Sequence, residues 1–254
     1  MVALRMKILD LEPLAQEYGL PLDLTTELVE VSIARTLSTV TKSPWAQVTF
    51  SEGDEPLCEI YEEDGGHFLF QPKKWRAPVL RLVEHNVIYA LNKERISREY
   101  QTLKILRGKM VEGAVDRHWP NGDLRVRIEL TKHFNTETVY ARFPLIYQTT
   151  RKEELSAYSN GDGLYFYVVR LSVVEENSMP RVDIYVSRTS RKLPEMIMRQ
   201  WLETENLPVE VECQKRVCGA FSILSVSNRV PIAARDSVSE ELCGELVRLK
   251  VRKG

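Results

Sequence analysis

The chain is predicted to be an α+β, multidomain protein built around a central five-stranded β-barrel of OB type. Three observations carry this. Five β-rich runs separated by turn signals fall between residues 108 and 187, and the last runs into a helix start. Helical periodicity fills residues 6–43 and 79–106 ahead of them. A helix-strand-strand-helix pattern follows over residues 193–251, which spells a small C-terminal α-β-β-α module. At 254 residues the chain has the length for two or three small domains.

The N-terminal segment reads as two helices and three strands. Leu11, Leu14, Ala15 and Tyr18 recur at helical spacing until Gly19-Leu20-Pro21 breaks the run. A second helix, with Asp23 or Thr25 as cap candidates, carries Leu28, Val31, Ser32, Ala34, Leu37 and Val40, and Ser43-Pro44 stops it. Strands are expected at residues 45–50, 57–61 and 67–70, with turns at Glu52-Gly53-Asp54 and Asp64-Gly65-Gly66. Residues 73–78 form a basic connector. A helix over 79–106 follows, with Leu82, Val83, Val87, Ala90 and Leu91 on one face and a charged second half from Lys93 on. That half reads as a solvated linker, so the first domain is drawn as 1–106.

The barrel strands are expected at residues 110–115, 124–130, 138–146, 164–174 and 181–187, within a domain drawn as 107–190. Pro120-Asn121-Gly122-Asp123 holds the Asn-Gly pair favoured in tight hairpins. Asn160-Gly161-Asp162-Gly163 marks another turn. Alternation in the second strand leaves Arg125, Arg127 and Glu129 on an exposed face. The C-terminal domain, 191–254, reads as a helix over 193–205, strands over 209–214 and 220–227, and a helix over 237–247 opened by the capping pattern Ser237-x-x-Glu240. Leu249-Lys250-Val251 fits an added edge strand.

Composition limits the function. Apolar residues are 43% and charged residues 28%, ordinary for a folded chain. The net charge of −1 excludes binding of nucleic acid by bulk charge, so any such site must be a local patch. Cys58, Cys213, Cys218 and Cys243 lack CxxC spacing and read as free thiols in a reducing cytosol. Arg5, Lys7, Asp10 and Glu12 interrupt the first apolar residues, which argues against a signal peptide, and no run reaches the length of a membrane span. A cytoplasmic location is expected. His67, His85, His118 and His133 are scattered, with no HExxH, no phosphate-cradling glycine loop and no Gly-x-Ser-x-Gly elbow. Glu62-Glu63-Asp64 and Glu175-Glu176 sit in turn-like contexts that favour solvation over acid–base work. No catalysis, metal, other cofactor or small-molecule substrate is expected.

The candidate binding residues are basic and aromatic. Arg117, His118 and Trp119 in a loop, Arg125 and Arg127 on the second strand, and Tyr140 and Arg142 on the third suit single-stranded RNA, which stacks bases on aromatics and pairs phosphates with cations. A plain solvated barrel face competes evenly with that reading. Arg188, Arg191 and Lys192, with Arg199, Lys215 and Arg216 beyond, form a basic run that Glu203, Glu205, Glu210 and Glu212 partly cancel, so a solvated surface is favoured there. The tail holds Arg248, Lys250, Arg252 and Lys253. In Lys73-Lys74-Trp75-Arg76, packing of Trp75 is favoured over contact with a partner.

The order of parts resembles the N-terminal half of the bacterial transcription elongation factor NusA family. Gly19-Leu20-Pro21 and the helix with Ala34 running to Lys42 look like that family's polymerase-facing domain. Gly113-Ala114-Val115 falls where the family has its S-one-type OB barrel. Ser187-Arg188-Thr189 leading to Pro194-Glu195 is similar to the Ser-Arg-Thr-His-Pro-Glu signature that closes that barrel and opens the first KH module. Ser190 to Lys192 replace the single His, and Leu193 is added. Val209-Glu210-Val211 and Cys218-Gly219-Ala220 fall where the first KH strands are expected. Residues 229–236 carry no Gly-x-x-Gly loop, the element with which KH modules clamp RNA. The resemblance implies a polymerase-binding-like N-terminal domain, an OB barrel and a degenerate KH-like module. It further implies RNA polymerase and single-stranded RNA as partners, with an effect on pausing, termination or antitermination. A protein-interaction adaptor built on the same folds is the competing reading.

Overall fold

The computed structural model describes residues 9–50, 56–72, 75–132, 135–149, 158, 161, 163–176 and 179–252. Five α-helices and eleven strands lie among the described residues, in two three-stranded sheets and one closed barrel. The fold is mixed α+β. The chain divides into two compact units, one of residues 1–101 with 173–182, the other of 102–172 with 183–254. The central barrel apart from residues 173–182 thus shares a unit with the C-terminal module, where the sequence read two separate domains. No helix among the described residues is long and apolar enough to cross a membrane.

The first unit starts with α1 (Leu11–Tyr18) and α2 (Leu22–Thr41). Gly19 ends α1 at φ 62, a left-handed conformation that glycine adopts without a Cβ penalty. The cap expected at Asp23 or Thr25 lies inside α2 instead. Pro21, with φ −59 and ψ 144, holds the cap position, and the Thr25 hydroxyl donates to the Pro21 carbonyl at 3.0 Å. Pro there supplies a ready φ and removes no helical bond. Strands β1 (Trp45–Thr49), β2 (Leu57–Tyr61) and β3 (His67–Leu69) form an antiparallel sheet in that order. The helix α3 (Ala77–Leu103) ends in a 3-10 turn, Lys104–Leu106, where sequence periodicity had continued the α-helix.

Alternation sends Val48, Cys58 and Ile60 into a core with Val29, Ile33 and Leu37 of α2 and Val83, Val87 and Leu91 of α3. Trp75 joins them at 4% exposure, its indole N–H donating to the Phe70 carbonyl at 3.2 Å. The packing reading of Trp75 holds; Lys73 and Lys74 lie outside the described residues. Burial pushes the Cys58 thiol up to about 12.

The barrel comprises β4 (Met110–His118), β5 (Leu124–Lys132), β6 (Asn135–Phe143), β7 (Gly163–Glu176) and β8 (Met179–Ser187), closed in the order β4-β5-β6-β8-β7. β4 is antiparallel to β5 and β7, and β5 is antiparallel to β6, while β6 and β8 are parallel where Ala141 faces Ile184 and Arg142 faces Tyr185. Val126, Ile128, Val139, Phe166, Val168, Ile184 and Val186 fill the interior. Phe143 meets Tyr158 and Phe166 edge-on, both at 5.2 Å between centroids. Two strand limits differ from expectation. β4 runs on to His118, so Arg117 and His118 are strand residues and only Trp119 opens the turn. β6 starts at Asn135 and stops at Phe143, because Pro144 has no N–H to extend the ladder and Leu145–Tyr147 coil into a 3-10 turn.

The C-terminal module is α4 (Leu193–Thr204), β9 (Val211–Val217), β10 (Phe221–Val226), α5 (Ile232–Glu241) and β11 (Leu246–Val251). The sheet order is β11-β10-β9, with β9 antiparallel and β11 parallel to β10. α5 begins after Pro231, earlier than expected, which leaves Ser237 inside the helix rather than at its cap. Left-handed Cys243 and Gly244, at φ 56 and 84, turn the chain into β11. Both helices pack on the sheet through Ile197, Met198, Leu202, Ala234 and Val238.

Two predictions test this packing. A Cβ on Gly113 would lie 2.8 Å from the Arg127 carbonyl oxygen and 2.7 Å from Val126 Cγ1. Gly113→Ala should therefore destabilise by about 1–3 kcal/mol in urea unfolding, because backbone cannot give way as a side chain can. A thiol-reactive probe at pH 8 should label Cys218 and Cys243, both half-buried, well before buried Cys58, as mapped by peptide mass spectrometry.

Candidate nucleic-acid interface

Alternation along each barrel strand decides which side chains reach the surface. Leu124, Val126 and Ile128 point inward, so Arg125, Arg127 and Glu129 point out. Val139 and Ala141 point inward, so Tyr140 and Arg142 point out. Pairing then sets these residues side by side. Arg117 faces Arg125, Arg125 faces Arg142, and Arg142 faces Tyr185 across four consecutive strands. Arg127 faces Tyr140 in the adjoining row.

The cations stack on the rings. Arg125 lies over Tyr140 at 4.6 Å, and Arg142 lies over Trp119 at 5.2 Å and Tyr185 at 5.9 Å. Arg170 of β7 covers Tyr185 at 4.2 Å. Such contacts are strongest where water is excluded. The turn that presents Trp119 is held on several sides. Its N–H donates to the Asp123 carbonyl at 2.9 Å, and Gly122 bends at φ 83. Gln148 Nε2 donates to the Gly122 carbonyl at 2.8 Å, and the Leu145 N–H donates to Asp123 Oδ1 at 3.1 Å.

Carboxylates balance much of this charge. A bulge between Val115 and Arg117 releases Asp116 from the ladder, and Asp116 Oδ2 lies 2.5 Å from Arg125 Nε. Arg142 reaches Asp123 at 3.3 Å and Asp183 at 3.5 Å. Burial would lower the Arg142 pKa, but Tyr185, Asp183 and Asp123 outweigh it and the net direction is upward. Arg142 Nε is buried with no hydrogen-bond partner among the described residues. Arg127 is freer, 3.8 Å from Glu129 with both side chains half exposed.

Of the residues singled out from sequence, Trp119, Arg125, Tyr140 and Arg142 are joined by ring contacts and pairing, and Arg117 and Arg127 by register. His118 is exposed at the end of β4. Arg188 is a correction. It is 3% exposed and cannot meet a ligand from outside. Its guanidinium donates to Glu241 Oε1 at 2.8 Å, to the Tyr165 carbonyl at 2.9 Å and to the Glu241 carbonyl. Burial lowers its pKa, but the Glu241 contacts more than compensate, so the guanidinium stays charged. Arg191 and Lys192 are exposed elsewhere in this unit, lining an open cavity of about 970 Å³ with Arg199, Glu195 and Glu203. Arg216 of the same basic run is also buried, paired with Glu245 at 2.9 Å. Tyr185, Arg170, Asp116 and Asp183 were missed. Alternation of Asp183 and Tyr185 with Ile184 and Val186 was legible, but Arg170 falls in phase with the inward Phe166 and Val168, and the parallel β6–β8 pairing that brings Tyr185 to Arg142 leaves no local trace.

Among the described residues no group of three or more His, Cys, Asp or Glu is placed to hold a metal ion. No protein-family model matches the chain, and no curated protein matches it.

The buried pair makes a prediction. Glu241→Ala should cost about 3–5 kcal/mol, because it strands the Arg188 charge in the interior. Urea unfolding checks this, and Arg188→Met combined with Glu241→Leu should recover a large part of the loss.

Proposed function

We propose that the protein is a non-enzymatic transcription accessory factor of NusA-like organisation, acting in the cytoplasm. Its first unit docks on RNA polymerase, and its barrel contacts single-stranded RNA as it emerges, altering pausing, termination or antitermination. The observation that carries this reading is the row of cations and rings across the barrel, Arg117, Arg125, Arg142 and Tyr185, with Trp119 and Tyr140 stacked beside it. Sequence-tolerant binding of single strands uses this pairing of aromatic platforms with cations.

The arrangement of the parts supports the same reading. A barrel in the order first, second, third, fifth, fourth strand suits an OB barrel, whose second and third strands form the usual binding face. Here those strands are β5 and β6, which bear Arg125, Arg127, Tyr140 and Arg142. The C-terminal helix-strand-strand-helix-strand order suits a shortened KH-like module, and Ser187-Arg188-Thr189 stands at its junction with the barrel. Intrinsic affinity for RNA need not be high, since tethering to polymerase raises the local RNA concentration.

A second reading is a protein-interaction adaptor on the same folds. It is favoured by one observation: Asp116, Asp123 and Asp183 already neutralise Arg125 and Arg142. One experiment separates the two. The full chain carrying Arg125→Ala, Arg127→Ala and Tyr140→Ala is tested for ultraviolet crosslinking to a single-stranded oligoribonucleotide and for capture of purified RNA polymerase. The RNA reading expects crosslinking to fall about tenfold or more, since one stacked base is worth ~1–3 kcal/mol, with polymerase capture intact. It also expects weaker binding at higher salt. Unchanged crosslinking would favour the adaptor, and failure of the unmodified chain to capture polymerase would remove it from transcription.

A further inference from the structure

We propose that the open face of the β1–β2–β3 sheet docks a basic protein segment, one that carries arginine or lysine beside aliphatic side chains. The inference rests on reading the first unit as the protein-docking part of the chain. Val48, Cys58 and Ile60 face the core, so Trp45, Leu57, Glu59, Tyr61 and Leu69 face the other way. Trp45, Leu57 and Leu69 are 50%, 50% and 52% exposed. Large apolar side chains gathered on one open sheet face mark an interaction surface more than scattered ones do.

The face also has an aromatic row. Trp45, Tyr61 and His67 are register partners across the three strands. The Trp45 and Tyr61 rings stack at 3.6 Å and 6°, and Tyr61 and His67 at 5.7 Å and 26°. Tyr61 stacks on one side of the indole, and Trp45 remains half exposed for a partner to reach. The Tyr61 hydroxyl donates to Glu59 Oε2 at 3.1 Å, which fixes a carboxylate beside the rings.

Charge selects the occupant. Between Ser43 and Pro72 the chain has seven Asp and Glu and no Lys or Arg, although its overall net charge is −1. Glu59 lies on the face, and Glu62, Glu63 and Asp64 lie at the β2–β3 turn. A phosphate backbone is repelled by such a surface, while a cationic side chain is drawn to it. An exposed indole is the best ring for a cation. A protein segment with arginine or lysine for the carboxylates and rings, and aliphatic groups for Leu57 and Leu69, meets both demands.

The test uses the full chain labelled with 5-fluorotryptophan, with the Trp45 signal among the four tryptophans assigned by Trp45→Phe. It is titrated with a peptide of alternating arginine and leucine, its glutamate–leucine counterpart, and an oligouridylate. Only the arginine–leucine peptide should shift the Trp45 signal. Trp45→Ala with Leu69→Ser should weaken that binding about tenfold or more. Glu59→Gln with Glu63→Gln, which leaves the apolar face intact, should weaken it severalfold and reduce its salt dependence. An unshifted Trp45 signal, unchanged affinity in either double variant, or an equal shift with either control ligand would overturn the proposal. Polymerase captured equally by the unmodified chain and by Trp45→Ala/Leu69→Ser, with no peptide effect, would overturn this face and leave polymerase docking standing. Peptide binding at Trp45 without capture of polymerase would do the reverse.

Discussion

The second unit depends on a charge that has no access to water. Arg188 leaves the last barrel strand and turns inward, where Glu241 at the end of α5 receives it. The same Glu241 Oε1 accepts the Tyr165 N–H at 2.9 Å, so one carboxylate satisfies both a guanidinium and a barrel strand. A second pair, Arg216 with Glu245, has both side chains buried. Arg216 meets Glu245 through two nitrogens and donates to the Ser190 carbonyl at 2.5 Å, while Glu245 also accepts the Gly219 N–H and the Ser222 hydroxyl. Taking such ions out of water costs several kcal/mol each, which is offset only when every donor and acceptor is matched. These groups are matched only when barrel, junction and module are all in place. That is a physical reason for the barrel and the module to form one unit, with Met110, Tyr165 and Tyr167 of the barrel packed against the module's core.

A similar economy of partners shapes the edge of the C-terminal sheet. β9 is an edge strand, and an edge leaves backbone groups open to pairing with another chain. Glu195 Oε2 accepts the Cys213 N–H at 2.9 Å, and Arg199 donates to the Val211 carbonyl at 2.7 Å. The two side chains are themselves an ion pair one turn apart on α4, at 2.8 Å. The helix therefore covers the edge with side chains in the role of a neighbouring strand. Arg199, which from sequence is one cation in a basic run, is thereby committed to backbone.

How much of this was legible in the sequence follows from the range of each interaction. Period-two alternation and turn chemistry placed β2 within its observed limits and all five barrel strands near theirs, because those signals are local. Limits failed where a local signal had two uses. Ser237-x-x-Glu240 has the form of a helix cap, yet Pro231 had already started the helix. The face bearing Arg125, Arg127, Tyr140 and Arg142 was found because outward alternation exposes it. Tyr185 and Arg170 were not found, since their place beside Arg142 depends on how the barrel closes. Arg188 was misread for a related reason. A cation in a basic run gives no sign of a carboxylate partner 53 residues away in the chain.

Near-neutral net charge proves a poor guide to what such a chain can bind. The total of −1 averages over segments of opposite character. The segment that carries the first unit's sheet has seven Asp and Glu and no Lys or Arg between Ser43 and Pro72, and the sheet holds an open aromatic row. The barrel face has several arginines, but Asp116, Asp123 and Asp183 hold them in place against the rings. Those carboxylates lower the long-range pull on a phosphate while fixing guanidinium planes where a base or a phosphate could meet them. The expected consequence is weak attraction at a distance and better order at contact, since side chains already fixed lose little entropy on binding. A site of this kind gains most from being brought to its ligand by another interaction, which is the service a separate docking face on the first unit would provide.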